Sequence, residues 1–418
     1  MKINDKLLYL LSLVMMLSIG CEDEEAAAEA EAYDPAGEYV FPSRLVEGAS
    51  SVSYTGQVVR NMLHSDLKSL TDLVTTGPNH GYVTYDLLNS YFSHDDSPSM
   101  QPSFVASPDA CEAVYVNIAT GKNLSGKTAD GSLRGWSIDA TTAVQAWMQA
   151  IADNYAANPS GGKQVVTSAD GLNYSQMINK TLYGAVAYDQ AFGYLSNYDE
   201  SMPDNVDPKS EGGSYTVAEH KWDEAFGYFG ARRDFLNPAG VGDCIDLTSE
   251  HNFGWASYAT KRDNDTENIA YRNGVMFKAD IFNAFVEGRA IIHNEGTVDE
   301  LAPHMATIRT RFEQLCAANV VHYVHSVLDA MSDLTDASDA MSSESENYNK
   351  YWSEMRGFII SLQYNVGEVS VGLTSAQLDD IVAAVGTAPK YPSHDGYATY
   401  ADDLLSCLLY TSPSPRDK

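Results

Sequence analysis

Apolar side chains recur every three to four residues over most of this chain, with polar and charged side chains between them. Val58, Met62, Leu67, Leu70 and Leu73 show the period clearly. Apolar residues at this spacing line one face of an α-helix, and strict alternation never persists long enough to build a sheet. The pattern predicts a mostly α protein, a helical bundle or two packed bundles, with long irregular loops. The expected helices cover residues 52–74, 82–92, 138–157, 174–198, 215–231, 266–293, 298–331, 344–362 and 374–385.

Two of these helices carry recognisable start signals. Asp139 is a suitable N-cap, because its carboxylate can accept a hydrogen bond from the free backbone N–H groups of the first turn. Thr374 and Gln377 stand three positions apart, as in a capping box. These residues predict the beginnings of two helices.

One octapeptide occurs twice. Residues 188–195 read Tyr-Asp-Gln-Ala-Phe-Gly-Tyr-Leu, and residues 222–229, 34 positions later, read Trp-Asp-Glu-Ala-Phe-Gly-Tyr-Phe. Glycine inside a helix lowers helix stability by about 1 kcal/mol relative to alanine. Close packing of another helix at that position can offset this loss. Gly193 and Gly227 are therefore predicted to be helix-packing positions, where another helix crosses. Two copies are too few for a solenoid.

The N-terminal residues have the pattern of a secretory signal. A positively charged start precedes the apolar run 7–16, and residues 1–20 as a whole predict a signal peptide. The boundary before Cys21 resembles a bacterial lipobox, which implies lipidation of Cys21. Residues 21–38 are rich in Glu and Ala and predict a flexible acidic tether. The helical domain is expected over residues 39–406.

Residues 407–418 have a different character. Their sequence resembles one reading frame of a sequencing adapter. We expect them to be an artefact and the natural C-terminus to be truncated, so no function is assigned to Cys407 or the residues after it.

Charge and cysteine content narrow the function classes. The chain has 57 acidic against 26 basic residues and a formal net charge of −31. Such acidity argues against nucleic-acid binding, which needs basic surface.

Cys111 and Cys244 lie in loop-like sequence and can form a disulfide outside the cytoplasm. Cys316 lies in a helical pattern instead and is expected to be a buried, small apolar residue.

Two groups of side chains have the spacing of helical metal ligands. His220, Asp223 and Glu224 share one face of a helix, and such a face can hold a transition metal ion such as iron with help from a neighbouring helix. The alternative group is His322, His325 and Asp329. In both, the histidines can instead be packed or hydrogen-bonded within the bundle. Motifs of zinc peptidases, serine hydrolases and nucleotide-binding enzymes are absent, and no catalytic residue is predicted.

Three segments together resemble a known family. Residues 41–44 (Phe-Pro-Ser-Arg), 51–57 (Ser-Val-Ser-Tyr-Thr-Gly-Gln) and 220–228 resemble the domain of unknown function 4856 family of Bacteroidetes lipoproteins. The chain is also distantly similar to imelysins, helical envelope proteins linked to iron uptake. Residues 218–223 align with their Gly-x-His-x-x-Glu signature, with Ala for Gly and Asp for Glu. This resemblance implies a metal role for His220 and Asp223.

These observations favour a non-enzymatic, lipid-anchored helical protein. The acidic run 22–25 resembles a surface-export signal, which implies an outer-membrane protein exposed at the cell surface. We expect it to bind a metal ion or a metal-bearing ligand and to serve an outer-membrane transporter. Two alternatives remain at this stage: an imelysin-type metallopeptidase or other hydrolase, with Glu224 as general base, and a carbohydrate-binding accessory lipoprotein.

Overall fold

Helices make up most of the computed structural model, which describes residues 32–75, 83–93, 120–237, 253–264, 274–365 and 372–408. Within these ranges β pairing is limited to isolated bridges, such as the one between Pro42 and Ser50. The predicted mostly α fold is therefore confirmed. The residues from Pro35 onward belong to one compact unit.

The N-terminal half of the described chain contains six α-helices. Its fourth and fifth helices are joined by the π-helical segment Tyr183–Tyr188, so that they form one continuous rod. A π segment of this kind widens the helix locally and often lies at a functional site. The helices are α1 (Thr55–Leu73), α2 (Tyr85–Ser93), α3 (Ala140–Ala157), α4 (Tyr174–Leu182), α5 (Asp189–Leu195) and α6 (Val217–Phe229).

The C-terminal half of the described chain contains six further α-helices, of which the third is the longest. They are α7 (Gly254–Asp263), α8 (Phe277–His293), α9 (Val298–Met331), α10 (Ser345–Leu362), α11 (Ser375–Val385) and α12 (Tyr397–Ser406). Helical periodicity in the sequence did not predict α7 and α12. Both are only ten residues long, and a short helix repeats its apolar face too few times to stand out from a loop.

The predicted helix starts are correct. Asp139 accepts a hydrogen bond from the backbone N–H of Thr142 at 2.8 Å. Thr374 and Gln377 form a reciprocal capping box. Such caps contribute about 1 kcal/mol each, because they satisfy backbone donors that the helix leaves free. They fix where helices begin, and hence which faces meet.

An aromatic core joins α7, α9 and α10. The fully buried ring of Trp255 lies 6.3 Å from Phe312 and 5.9 Å from Phe358, measured between ring centroids. Cys316 is also fully buried, and its thiol donates to the Phe358 carbonyl at 3.3 Å. Cys316 is thus the buried small residue that its helical pattern predicts.

The two copies of the octapeptide lie beside each other. Their equivalent tyrosines, Tyr194 and Tyr228, stack with ring centroids 6.2 Å apart. A Cβ atom at Gly227 would lie only 2.7 Å from Gln57 Cβ, so α1 crosses α6 closely there, as predicted. Gly193 is different: it is exposed, and a Cβ atom there would have no neighbour within 4 Å in the described structure. The prediction of a crossing at Gly193 is wrong, because that face of α5 points to solvent.

Several expectations fall outside the described residues. Cys21 and the predicted signal peptide lie there, as do Cys111 and Cys244. Among the residues that are described, no helix is both long and apolar enough to cross a bilayer.

Candidate functional site

The first predicted metal group lies on α6, but its members diverge. His220 Nε2 lies 3.5 Å from Glu224 Oε2, and the imidazole stacks on the ring of Tyr215. Burial lowers the pKa of His220, which keeps the ring neutral at pH 7. Asp223 does not join this pair, because its carboxylate forms hydrogen bonds on another face of the helix.

Asp223 is fully buried and bound entirely by protein groups. Its Oδ1 accepts hydrogen bonds from Tyr39 Oη at 2.8 Å and Arg289 Nε at 2.9 Å, and its Oδ2 accepts from the Ser53 backbone N–H at 2.8 Å. Burial raises the pKa of Asp223 to about 6, against the opposing charge of Arg289. The carboxylate therefore ties the N-terminal segment to α6 and α8.

Glu219, one turn earlier, completes this buried network. Its Oε1 lies 3.2 Å from Arg289 Nη1, and its Oε2 accepts from the Thr216 backbone N–H at 2.9 Å. Burial acts to raise the pKa of Glu219, but a hydrogen bond from His293 and the charge of Arg289 outweigh it and lower the pKa to about 2. The acidic residues around His220 thus hold the bundle together.

The predicted three-ligand metal site is consequently not formed. His220 and Glu224 are neighbours, but Asp223 is committed to Arg289. Across the described ranges, no three His, Cys, Asp or Glu side chains converge in a way that could hold a metal ion.

The alternative group on α9 is also divided. His325 and Asp329 are exposed, whereas His322 is half-buried and lines a cavity together with Tyr323 and Ser326. The three residues do not act as one ligand set. Only His322 leads to a candidate site.

That cavity has a volume of about 990 Å³ and lies between α1, α4, α7, α9 and α10. Ligand pockets typically measure about 300–1,000 Å³, so this one is large. Its lining consists of Asn61, His64, Ser65, Lys68, Ser69, Asp72, Thr75, Lys163, Val166, Asn173, Gln176, Asn179, Lys180, Tyr183, Phe253, Gly254, Ser257, Tyr258, Lys261, His322, Tyr323, Ser326, Lys350, Tyr351 and Glu354.

Helical periodicity explains why these side chains meet. On α1 the lining residues His64, Lys68 and Asp72 stand four positions apart, so they form one stripe along the helix. On α4 and its π extension, Gln176, Lys180 and Tyr183 do the same. Similar polar stripes on α7, α9 and α10 face the same space. The cavity is polar because five helices turn their polar faces inward there.

Lysine dominates the charge of the lining. Five of the 26 basic residues of the chain lie here, against only two of its 57 acidic residues, Asp72 and Glu354. The five lysines are graded by depth: Lys180 is buried, Lys68 and Lys350 are half-buried, and Lys163 and Lys261 are exposed at the mouth. A chain of strongly negative net charge thus encloses a cavity with a net positive charge.

Lys180 forms the floor of the cavity. Its Nζ donates to Tyr258 Oη at 2.6 Å and lies 3.4 Å from Glu354 Oε1. The ammonium group also lies 5.8 Å, 5.2 Å and 5.6 Å from the ring centroids of Tyr183, Tyr258 and Phe358. These contacts compensate for burial of the charge, since ring faces and a carboxylate both attract cations.

The ammonium groups of the lysines near Lys180 lie in an electrostatically unfavourable environment. Partial loss of hydration at the mouth of the cavity, followed by repulsion from Lys180, lowers the pKa of Lys261. Burial also lowers the pKa of Lys68, against the attraction of Asp72. Burial lowers the pKa of His64 to about 4, so its neutral ring donates from Nε2 to the Asn179 carbonyl at 3.0 Å. The positive charge in the cavity is therefore only partly neutralised by the protein itself.

Close helix packing positions Lys180. A Cβ atom at Gly357 of α10 would lie 2.3 Å from Lys180 Cβ. One turn along, a Cβ atom at Gly184 would lie 2.5 Å from the Ser361 backbone. Two glycines thus let α10 and the α4 rod touch, which sets Lys180 beside Glu354.

The residue pattern along the chain did not predict this cavity. Lys68 stands between apolar residues of a helix and is indistinguishable from a solvated surface lysine. Lys180 offered a better signal, since it lies in a helix whose other residues include Met177, Ile178 and Leu182. The convergence itself depends on how five helices pack, which local periodicity does not specify.

Comparison with known proteins identifies the family. No curated protein and no solved structure matches the chain. Residues 37–387, most of its length, match the family described as domain of unknown function (DUF4856). The resemblance to the domain of unknown function 4856 family is thereby confirmed, and the chain belongs to that family.

Proposed function

We propose that this protein is a lipid-anchored binding protein of the cell envelope that takes an anionic ligand into the lysine-lined cavity. The observation that carries the proposal is the charge of the lining, five lysines against two carboxylates in a chain of net charge −31. Random placement of so few basic residues among so many acidic ones would leave the cavity negative.

The electrostatics favour an anion over a neutral ligand. Burial, together with the charge of Lys180, lowers the pKa of both Lys68 and Lys261, so holding these ammonium groups close together costs free energy. An anion placed between them would offset that repulsion, and charges in a partly buried site interact more strongly than in bulk water. The free protein thus has a positive site prepared for a negative group.

The sequence supports an envelope location. The predicted signal peptide and the lipobox-like residues before Cys21 are those of an exported lipoprotein. In this setting the protein would capture its ligand at the cell surface and pass it to an outer-membrane transporter. A metal-bearing ligand suits the lysines only as a negatively charged complex, for example a ferric carboxylate chelate.

A ligand panel tests this proposal. Isothermal titration calorimetry on the full chain would compare citrate, ferric citrate, phosphate and galacturonate with neutral galactose and cationic spermidine. We expect one or more anions to bind, with affinity that falls as ionic strength rises, since salt screens the attraction. Equal binding of galactose or spermidine, or binding of none of the anions, would overturn the proposal.

A further inference from the structure

A second, smaller pocket continues the cavity. It measures about 70 Å³ and shares Lys163, Asn173 and Lys350 with the large cavity. Beyond these residues its lining is mostly polar: amides and hydroxyls predominate, beside Ala340, Met341 and the single carboxylate of Glu346, and they are those of Gln164, Thr167, Ser342, Asn347 and Asn349. The two spaces therefore form one extended site, with two lysines where they join.

The lining chemistry suits a ligand rich in hydroxyl groups. The large cavity presents side-chain amides, hydroxyls and tyrosine rings, and among its described lining residues only Val166 and Phe253 have purely hydrocarbon side chains. An acyl chain or a nucleobase would need a larger apolar surface. Sugars offer donors and acceptors together, and their C–H faces pack on aromatic rings. The amides are those of Asn61, Asn173, Gln176 and Asn179.

Two buried oxygen atoms add acceptor capacity. Glu354 and Gln176 are about 95% and 94% buried, and both line the cavity. Glu354 Oε2 and Gln176 Oε1 have no hydrogen-bond partner among the described residues. Buried acceptors are normally satisfied, so these atoms call for donors such as hydroxyl groups. An anion without O–H or N–H groups, such as sulfate, would not supply them.

We propose that the ligand is an acidic oligosaccharide, carboxylated or sulfated, that spans both pockets. One anionic group lies among Lys68, Lys180 and Lys261, and a second lies between Lys163 and Lys350. The proposal rests on the proposed function and adds two features to it, a sugar backbone and a minimum length. The absence of arginine from the lining agrees with this, since lysine serves as a point charge rather than as a planar fork for one anion.

Titrations of the full chain with sugars of increasing length test the proposal. The probes are mono-, di- and trigalacturonate, the equivalent sulfated galactose oligomers, and neutral galactotriose. We expect the trimer of one series, carboxylated or sulfated, to bind at least tenfold more tightly than its monomer. The series that shows this gain identifies the acid group of the ligand. Trimers that bind no better than monomers in both series, or galactotriose that matches them, would refute the inference.

Two variants locate the second anionic group. Lys350→Gln alters the junction of the two pockets, and Lys261→Gln alters only the large cavity. The junction variant should weaken trimer binding about tenfold and leave the monomer unchanged, whereas Lys261→Gln should weaken both. Equal effects of Lys350→Gln on monomer and trimer would contradict the extended site. Anion binding without any gain from length would refute this inference and leave the proposed function standing, whereas loss of all anion binding would remove both.

Discussion

At the scale of single residues, two groups of buried charges among the described residues differ in how their charges are paired. Arg289 forms ion pairs with both Glu219 and Asp223 inside the bundle. Lys180 is equally buried, yet the lysines around it outnumber the carboxylates. A buried ion pair is weak evidence for stability, but removal of one partner costs about 3–5 kcal/mol because the other charge is left behind. The fold therefore depends on the first group staying intact, and we propose that the second retains charge for a ligand.

The acid network predicts a pH dependence. Glu219 has a folded-state pKa of about 2, below its ordinary value of 4.5, so its contribution is present above pH 4.5 and is lost as the pH falls toward 2. Glu219→Gln should lower the unfolding free energy at pH 7 by about 3–5 kcal/mol. Over the window from about pH 5 to 2, the variant should lose less stability than the wild type. Urea denaturation across this range checks the prediction, and parallel pH curves would contradict it.

The repeated glycines provide a matched pair of variants. Gly227→Leu should destabilise the protein by about 1–3 kcal/mol, because Gln57 and Tyr54 leave no room for a side chain. Gly193→Ala should instead stabilise it by about 0.5–1 kcal/mol, since the helix gains propensity and nothing is displaced. Thermal and urea unfolding measure both. Similar effects of the two substitutions would show that the sites are not distinguished by packing.

At the scale of elements, the contact between α10 and the α4 rod controls the cavity floor. Gly357→Ala should push Lys180 away from Glu354, because the new methyl group would overlap Lys180 Cβ. We expect a loss of about 1–3 kcal/mol in stability and weaker anion binding by the molecules that remain folded. Citrate titration well below the melting temperature separates the two effects. Unchanged citrate affinity would show that the packing does not position Lys180.

Element boundaries were predictable to different degrees from the sequence. Helix α9 was expected over residues 298–331 and found at Val298–Met331, because a capping box begins it and its apolar period is long. Helix α7 was missed, although its Tyr258 and Lys261 line the cavity. The prediction of a metal site on α6 was wrong for a related reason. Sequence spacing places His220, Asp223 and Glu224 on nearby faces of one helix. The ion pair of Asp223 with Arg289 on α8 depends on how the helices pack, and spacing does not show it.

At the scale of the whole molecule, location and binding are separate predictions. If Cys21 carries the lipid, Cys21→Ala should abolish lipidation and release the protein from the membrane fraction. Fractionation and mass spectrometry of the N-terminal peptide measure this directly. Retention of the variant in the membrane, with an unchanged peptide mass, would reject the lipoprotein assignment without affecting the cavity.

The contrast between an acidic exterior and a basic cavity also suggests the most suitable control. Lys261 Nζ lies 4.8 Å from the Tyr258 ring centroid, and Lys390 Nζ lies 4.9 Å from that of Tyr400. Only Lys261 lines the cavity. Charge reversal at the two positions changes the net charge of the protein equally, so any difference in anion binding reports on the cavity alone.

The most direct test is therefore the citrate affinity of Lys261→Glu, compared with that of Lys390→Glu and the wild type, measured by isothermal titration calorimetry at low ionic strength. Reversal in the cavity removes a favourable charge contact of about 1.5–3 kcal/mol. We predict citrate binding at least tenfold weaker for Lys261→Glu, and within twofold of wild type for Lys390→Glu. Equal affinities for the two variants would contradict an anion site in the lysine-lined cavity.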